Sequence, residues 1–245
     1  MQNESRVKKK KLISTLIILV LIPATILFGG IALGDRRYYF ISLLVIIYTM
    51  IPFFMLFEKR KPKAREIILI SSLSAIGVAG RMAFFMIPHF KPVMAIVIIT
   101  GVALGREAGF LTGAVTAFVS NFFFGQGPWT PWQMFSFGIV GFLSGVIFSK
   151  EIIKPTRIIL CIFGGLSTFF IYGFIMNTSS VFMMNSHISF PTLIAFILSG
   201  VPVDVIHASS TVIFLYLISE SMIEKLSRIK VKHGLLGNIE SRVIS

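Results

Sequence analysis

Apolar runs of about 20 residues, the length a helix needs to cross bilayer hydrocarbon, recur at residues 12–33, 38–57, 66–87, 133–149, 156–176 and within 188–219. Between the third and fourth lie two shorter runs, residues 92–104 and 107–124, parted only by Gly105 and Arg106. They read as two helices joined by a tight turn, the first too short for a full span. The pattern predicts an all-α integral membrane protein of eight membrane helices, two followed by six. The charged, proline-broken segment FEKRKPKAREI separates the two groups. This gives an N-terminal helix pair over residues 1–60, a six-helix domain over 66–219 and a basic tail over 220–245. No sequence repeat relates the two halves.

Composition agrees with the pattern. A chain that is 55% hydrophobic, with 25 Phe and a mean hydropathy of +0.88, has too little polar surface for a soluble domain. The net charge of +13 changes the picture through its placement. With the N-terminus inside, 19 of the 23 Lys and Arg residues fall in cytoplasmic segments, and the outer side keeps Arg36, Arg37 and Lys91, with Arg81 within a helix. That is the positive-inside distribution, and it predicts a multi-pass protein of the cell membrane with both termini cytoplasmic. The charges sit in short connections rather than along one amphipathic face, so the expected surroundings are lipid and no nucleic-acid partner is expected. The basic start is like that of a secretory signal. Its apolar run, residues 12–33, is longer than a signal core and reads as a retained span. The single cysteine, Cys161, leaves no disulfide framework and no CxxC site.

Against this background the polar residues inside the spans stand out. Arg81 lies about 22 Å along its helix from Glu66 at 1.5 Å per residue. Asp204 follows Gly200 and Pro202, where a break would start a new helix with Asp204 at its positive end. An Arg81–Asp204 ion pair and ligand contact are both open readings. His207 lies one turn from Asp204 on the same face. That pair could serve acid–base chemistry or hold a metal, but two ligands without a third do not make a metal site. No metal, cofactor or catalytic residue is predicted: the Walker A, HExxH and GxSxG patterns are all missing. Ser71, Ala75, Ala79 and Ala83 align small side chains at i, i+4, i+8 and i+12, a face for close helix approach either within the protein or to a partner. Gly101 with Gly105, Gly109 with Gly113, and Gly141 with Gly145 repeat that spacing and read as internal contacts.

The connection FFFGQGPWTPWQM joins two apolar runs without a charge. Its Trp129 and Trp132 could belong to an interfacial aromatic belt or to a pocket. Asn121 and Gln126, at the end of an apolar helix, need partners or water, and Gln133 could cap the next helix. Thr130 lies among them.

GRMAFFMIPHFKPVMAIVIITGVALGREAGFLTGAVTAFVSNFFFGQGPWTPWQMFSFGIVGFLSG, together with GVPVDVIHASSTVIF, resembles the substrate-binding S component of energy-coupling factor (ECF) vitamin transporters, in particular the cobalamin-type members. SNFFFGQGPWTPWQM is the most specific stretch. The resemblance covers roughly residues 66–219 and implies a six-helix S-component-like core preceded by two extra transmembrane helices. It implies capture of a vitamin, cobalamin or a related corrinoid, from outside. Release would follow docking on a membrane coupling subunit driven by two ATPase subunits. The docking face would be the small-residue face of Ser71, Ala75, Ala79 and Ala83. The expected binding residues are Asn121, Gln126, Trp129, Thr130, Trp132 and Gln133, with Arg81, His89, Asp204 and His207 around them. Riboflavin or another vitamin is the alternative ligand. A proton-coupled carrier or intramembrane enzyme built on Asp204 and His207 is the alternative of a different class.

Overall fold

The computed structural model describes residues 64–148, 153–184 and 189–233, and the scattered helical positions 43, 44, 46–48, 50, 51 and 55. The predicted span 12–33 lies outside these residues. Six helices form the described domain: α1 (Ala64–Ala83), α2 (Val93–Leu104), α3 (Arg106–Phe124), α4 (Trp129–Phe148), α5 (Arg157–Met184) and α6 (Phe190–Lys232). All but α2 are long and apolar enough to cross a membrane. Together they make a multi-pass, all-helical membrane fold, as the apolar runs predict.

The shortest helix is the central one. Every residue of α2 is buried, as expected of a segment that is apolar all round, and it touches α1, α3, α4, α5 and α6. Its 12 residues rise about 18 Å, well short of a hydrocarbon core of about 30 Å. The missing length is taken up by the chain before it. The apolar run predicted to extend to residue 87 leaves helical geometry at Ala83, and residues 84–92 turn back toward the bundle. Lys91 explains the early stop: its Nζ donates to Phe84 O, to Ile87 O at 2.7 Å and to Phe85 O at 3.3 Å. Carbonyls of the turn that follows α1 are thereby satisfied by a cation. Ser210 Oγ on α6 donates to Lys91 O at 2.8 Å and ties the turn to the bundle.

Glycines bring α2, α3 and α4 into near backbone contact. A Cβ at Gly101 or at Gly109 would collide with Gly141 O, one at Gly113 with the backbone of Phe137, and one at Gly145 with Arg106 N. Ser144 Oγ, between Gly141 and Gly145, donates to Ile98 O at 3.1 Å across the same seam. The turn from α2 to α3 is as tight as predicted: Gly105, at φ 95, donates its N–H to Gly101 O at 2.9 Å, a left-handed backbone that glycine adopts without strain.

Other boundaries differ from expectation, among them the end of α5, predicted at residue 176 and found at Met184. Helix α4 starts at Trp129, so Gln133 lies within its second turn and does not cap it; Pro131 is tolerated because the first turn needs no N–H there. The break expected at Gly200–Pro202 is not present. Helix α6 runs through Pro202 for 43 residues, and Asp204 is mid-helix rather than at a helix N-terminus. Packed neighbours let spanning helices tolerate proline, and here the Asn177 carboxamide of α5 fills the space a Gly200 side chain would take. Finally, α6 continues past residue 219 to Lys232, so the basic tail begins as helix. Glu224 and Arg228 pair there at 2.5 Å, and Lys230 and Lys232 suit the negative end of the dipole.

Within α5, residues Ser167–Gly173 form a π-helical stretch. Its wider turn carries Tyr172 and lets Gly173 lie against Asp204. From the second predicted span, Met50 is buried and packs with Phe110 and Ala114 of α3.

Candidate substrate-binding site

The short α2 leaves space at one end of the bundle, above Val93. A cavity of about 410 Å³ fills it. Helix α1 contributes Arg81, the following turn Phe85, Pro88, His89 and Lys91, and α3 its last residue, Phe124. Gln133 and Phe137 reach in from α4 one turn apart, Tyr172 from the π-helical stretch and His207 from α6. His207 is the hub of the aromatic wall, with ring centroids 5.3 Å from His89 and 5.1 Å from Tyr172, both edge to face; Tyr172 in turn lies 5.4 Å from Phe137. His89 has φ 60, a left-handed backbone uncommon outside glycine, which persists where surrounding structure holds it.

Two cations face this wall. The Arg81 guanidinium lies 4.4 Å from the Phe124 ring centroid, a stabilising cation–π geometry. Burial, and then the charge of Arg81, lower the pKa of Lys91 from its ordinary value. Among the described residues the ion pairs are Arg106–Glu107, Arg157–Glu220 and Arg228–Glu224, so neither Arg81 nor Lys91 is matched by a carboxylate.

Beside the cavity, Gln126 and Thr130 of FFFGQGPWTPWQM join Arg81, Ser120 and Asn121 in one hydrogen-bonded network. Arg81 Nη1 donates to Ser120 Oγ at 2.6 Å and to Asn121 Oδ1 at 2.9 Å. Asn121 Nδ2 donates to Thr130 Oγ1 at 3.0 Å, which also accepts from Gly127 N at 3.2 Å and donates to Gln126 Oε1 at 3.0 Å. Gln126 Nε2 closes the chain on Phe118 O at 2.9 Å. The network buckles the ends of α1, α3 and α4 together. Asn121 is fully buried in it, with both ends of its amide used.

The sequence-predicted residues therefore divide. Arg81, His89, Gln133 and His207 meet in the cavity wall. Asn121, Gln126 and Thr130 form the adjoining buckle. Trp132 stacks on Phe182 of α5 at 5.8 Å, and Trp129 lies over Gly127. The Arg81–Asp204 ion pair does not form: Arg81 is held by Ser120 and Asn121, and Asp204 Oδ2 accepts from Asn177 Nδ2 at 2.7 Å. Asp204 and His207 share a helix but face different neighbours, Asn177 and Gly173 for the carboxylate, His89 and Tyr172 for the ring. Asp204 works as a tie between α5 and α6. Asp204→Asn, which keeps an acceptor for Asn177, is expected to leave thermal stability in detergent nearly unchanged. Asp204→Leu leaves the half-buried Asn177 amide without its acceptor, at about 1 kcal/mol, and is expected to lower the melting temperature.

The small-residue face of α1 points outward. Ser71, Ala75, Ala79 and Ala83 are exposed, whereas Ile70, Leu73, Ser74, Gly77 and Val78 face the core. Packing against another helix of the described domain, one of the two readings of this spacing, is not its role.

A family model described as ECF-type riboflavin transporter, S component, matches residues 61–224, which include α1 to α5 and most of α6. The chain belongs to the ECF S-component family. Relatives of this S component include UPF0397 proteins. That of Aliivibrio fischeri strain MJ11 is 34% identical over 100 residues, covering 39% of this chain and 52% of the relative. Those of Vibrio atlanticus strain LGP32 and Aliivibrio salmonicida strain LFI1238 are 33% and 34% identical over 88 residues, each covering 34% of this chain and 48% of the relative. The chain thus spans about half the length of the curated relatives it matches. No solved structure matches it.

Sequence reasoning missed most of this S component's cavity wall: Phe85, Pro88, Lys91, Phe124, Phe137 and Tyr172. The usable signal for Phe137 is its i, i+4 relation to Gln133. Phe124 lies near the start of the charge-free motif stretch, and for Tyr172 no local signal exists.

Proposed function

We propose that this chain is the substrate-binding subunit of a vitamin uptake transporter and that the cavity above α2 holds the vitamin. The single observation that carries the reading is this cavity of about 410 Å³ with four aromatic side chains and a few polar groups on its wall. It lies at the lower end of the roughly 300–1,000 Å³ of ligand pockets. Flat aromatic faces beside a few hydrogen-bonding groups suit a planar heterocycle. The volume favours a ring system of flavin size, in keeping with the description of the matching family model.

The Lys and Arg distribution supports both termini facing the cytoplasm, and in that orientation the cavity would open toward the outer face. ATP hydrolysis is assigned to two ATPase subunits acting through a membrane coupling subunit, docked on the exposed face of Ser71, Ala75, Ala79 and Ala83.

Cobalamin is the second reading, favoured by the likeness of SNFFFGQGPWTPWQM to cobalamin-type S components. A corrinoid exceeds the cavity and would lie across its mouth, against Trp129, Trp132 and the buckled loop. The full chain, purified in detergent, should be titrated with riboflavin and with cobalamin by fluorescence quenching and absorbance. Saturable riboflavin binding that cobalamin does not displace is the expected result. Cobalamin binding that riboflavin cannot displace would select the second reading, and saturable binding of neither would reject vitamin capture. Uptake driven by a proton gradient without any ATPase would instead favour a carrier.

A further inference from the structure

Several polar side chains at the cavity end of the bundle are paired within the protein, and the acceptor of Gln133 is not. Asn121, Gln126, Thr130 and Ser120 use one another and Arg81, Asn177 uses Asp204, and Lys91 donates to carbonyls of the turn after α1. Gln133 is 7% exposed, lies on the cavity wall, and its Oε1 is buried with no hydrogen-bond partner. Buried acceptors without a donor are rare in folded proteins. A carboxamide places acceptor and donor side by side in one plane, and its complement is another planar edge with N–H next to C=O.

We infer that Gln133 selects the ligand by pairing with a ring edge that presents an N–H beside a carbonyl, the imide or lactam edge of a planar heterocycle. The complement is the same whichever way the amide is turned, because the edge is read as a donor–acceptor pair. Phe137, one turn along α4, and Tyr172 beside the Gln133 amide give the ring apolar surface to lie on. A carboxylate edge offers only acceptors and would leave Oε1 unpaired. A lone hydroxyl would engage half of the amide. Gln133 is thus a specificity-determining residue, an inference that rests on the cavity being the vitamin site.

The test compares riboflavin with 3-methylriboflavin, in which a methyl group replaces the hydrogen on the imide nitrogen, on the full chain in detergent. The natural sequence is expected to bind the methylated compound at least about tenfold more weakly. Gln133→Leu should weaken riboflavin to the level of the methylated compound and abolish the preference. Gln133→Glu retains an acceptor for the N–H and should retain the preference. Equal binding of both compounds by the natural sequence, a comparison that needs no variant to fold, would overturn the inference and leave vitamin capture standing. So would a preference that survives in Gln133→Leu. A protein that binds no riboflavin would overturn the flavin reading and this inference with it.

Discussion

Gly141→Val is expected to abolish the folded protein or lower its melting temperature in detergent by about 10 °C or more. The α4 backbone at Gly141 meets Gly109 of α3 on one side and Val97 and Gly101 of α2 on another. Overpacking a core usually costs about 1–3 kcal/mol because side chains move aside, and each kcal/mol shifts a chain of this size by about 2–4 °C. Here the obstacle is backbone: Gly141 is apposed to Gly109, whose own added Cβ would meet Gly141 O. The side chains that the valine displaces belong to α2, which is buried on every side. Relief would require the α2–α3–α4 seam to part and would break the bond from Ser144 to Ile98. Gly141→Ala should show a smaller loss, since one methyl group meets the same atoms with less bulk. Fluorescence-detected gel filtration after a heating series reads both. A valine variant that melts within a few degrees of the natural protein would mean that the seam can open cheaply, and the central position of α2 would not be what stabilises the domain.

That seam was visible in sequence because its determinants are local. The glycine spacing at 101, 109, 141 and 145 needs no partner to be noticed, and the run at residues 92–104 announces a short helix by its length. The cavity follows from that shortness. Its aromatic wall does not, because in a chain with 25 Phe the rings facing lipid and the rings facing a cavity carry the same signal. Phe122 and Phe123 are exposed while Phe124 lies under Arg81. Only the early end of α1, set by Lys91, decides where the neighbouring Phe85 falls. The buckle was equally hidden: Arg81 and Asn121 are 40 positions apart, and an unpaired amide in sequence looks the same whether its partner will be an arginine or a ligand. Gln133 differs from Asn121 only in what the fold brings to it. The continuity of α6 through Pro202 is hidden from the sequence for a related reason, since the packing of Asn177 against Gly200 is supplied by another helix.

Replacing Ala75 and Ala79 together by tryptophan is expected to stop co-purification with the coupling and ATPase subunits and to reduce vitamin uptake at least about tenfold, while binding of the vitamin to the isolated chain stays unchanged. Helices in a bilayer gain no hydrophobic driving force from meeting, so association rests on close van der Waals contact between small residues. Two indoles on the exposed side of α1 would hold a partner helix away over a full turn. The cavity is insulated from this change: Arg81 reaches inward to Ser120 and Asn121, and Gly77 packs against Thr116 on the opposite side of the helix. A double variant that still assembles and transports would show that α1 is not the docking helix, leaving its outward row of small residues in contact with lipid alone. A double variant that loses vitamin binding as well would mean that α1 has shifted as a whole, dragging Arg81 from the wall, and binding and docking would then be coupled through this one helix.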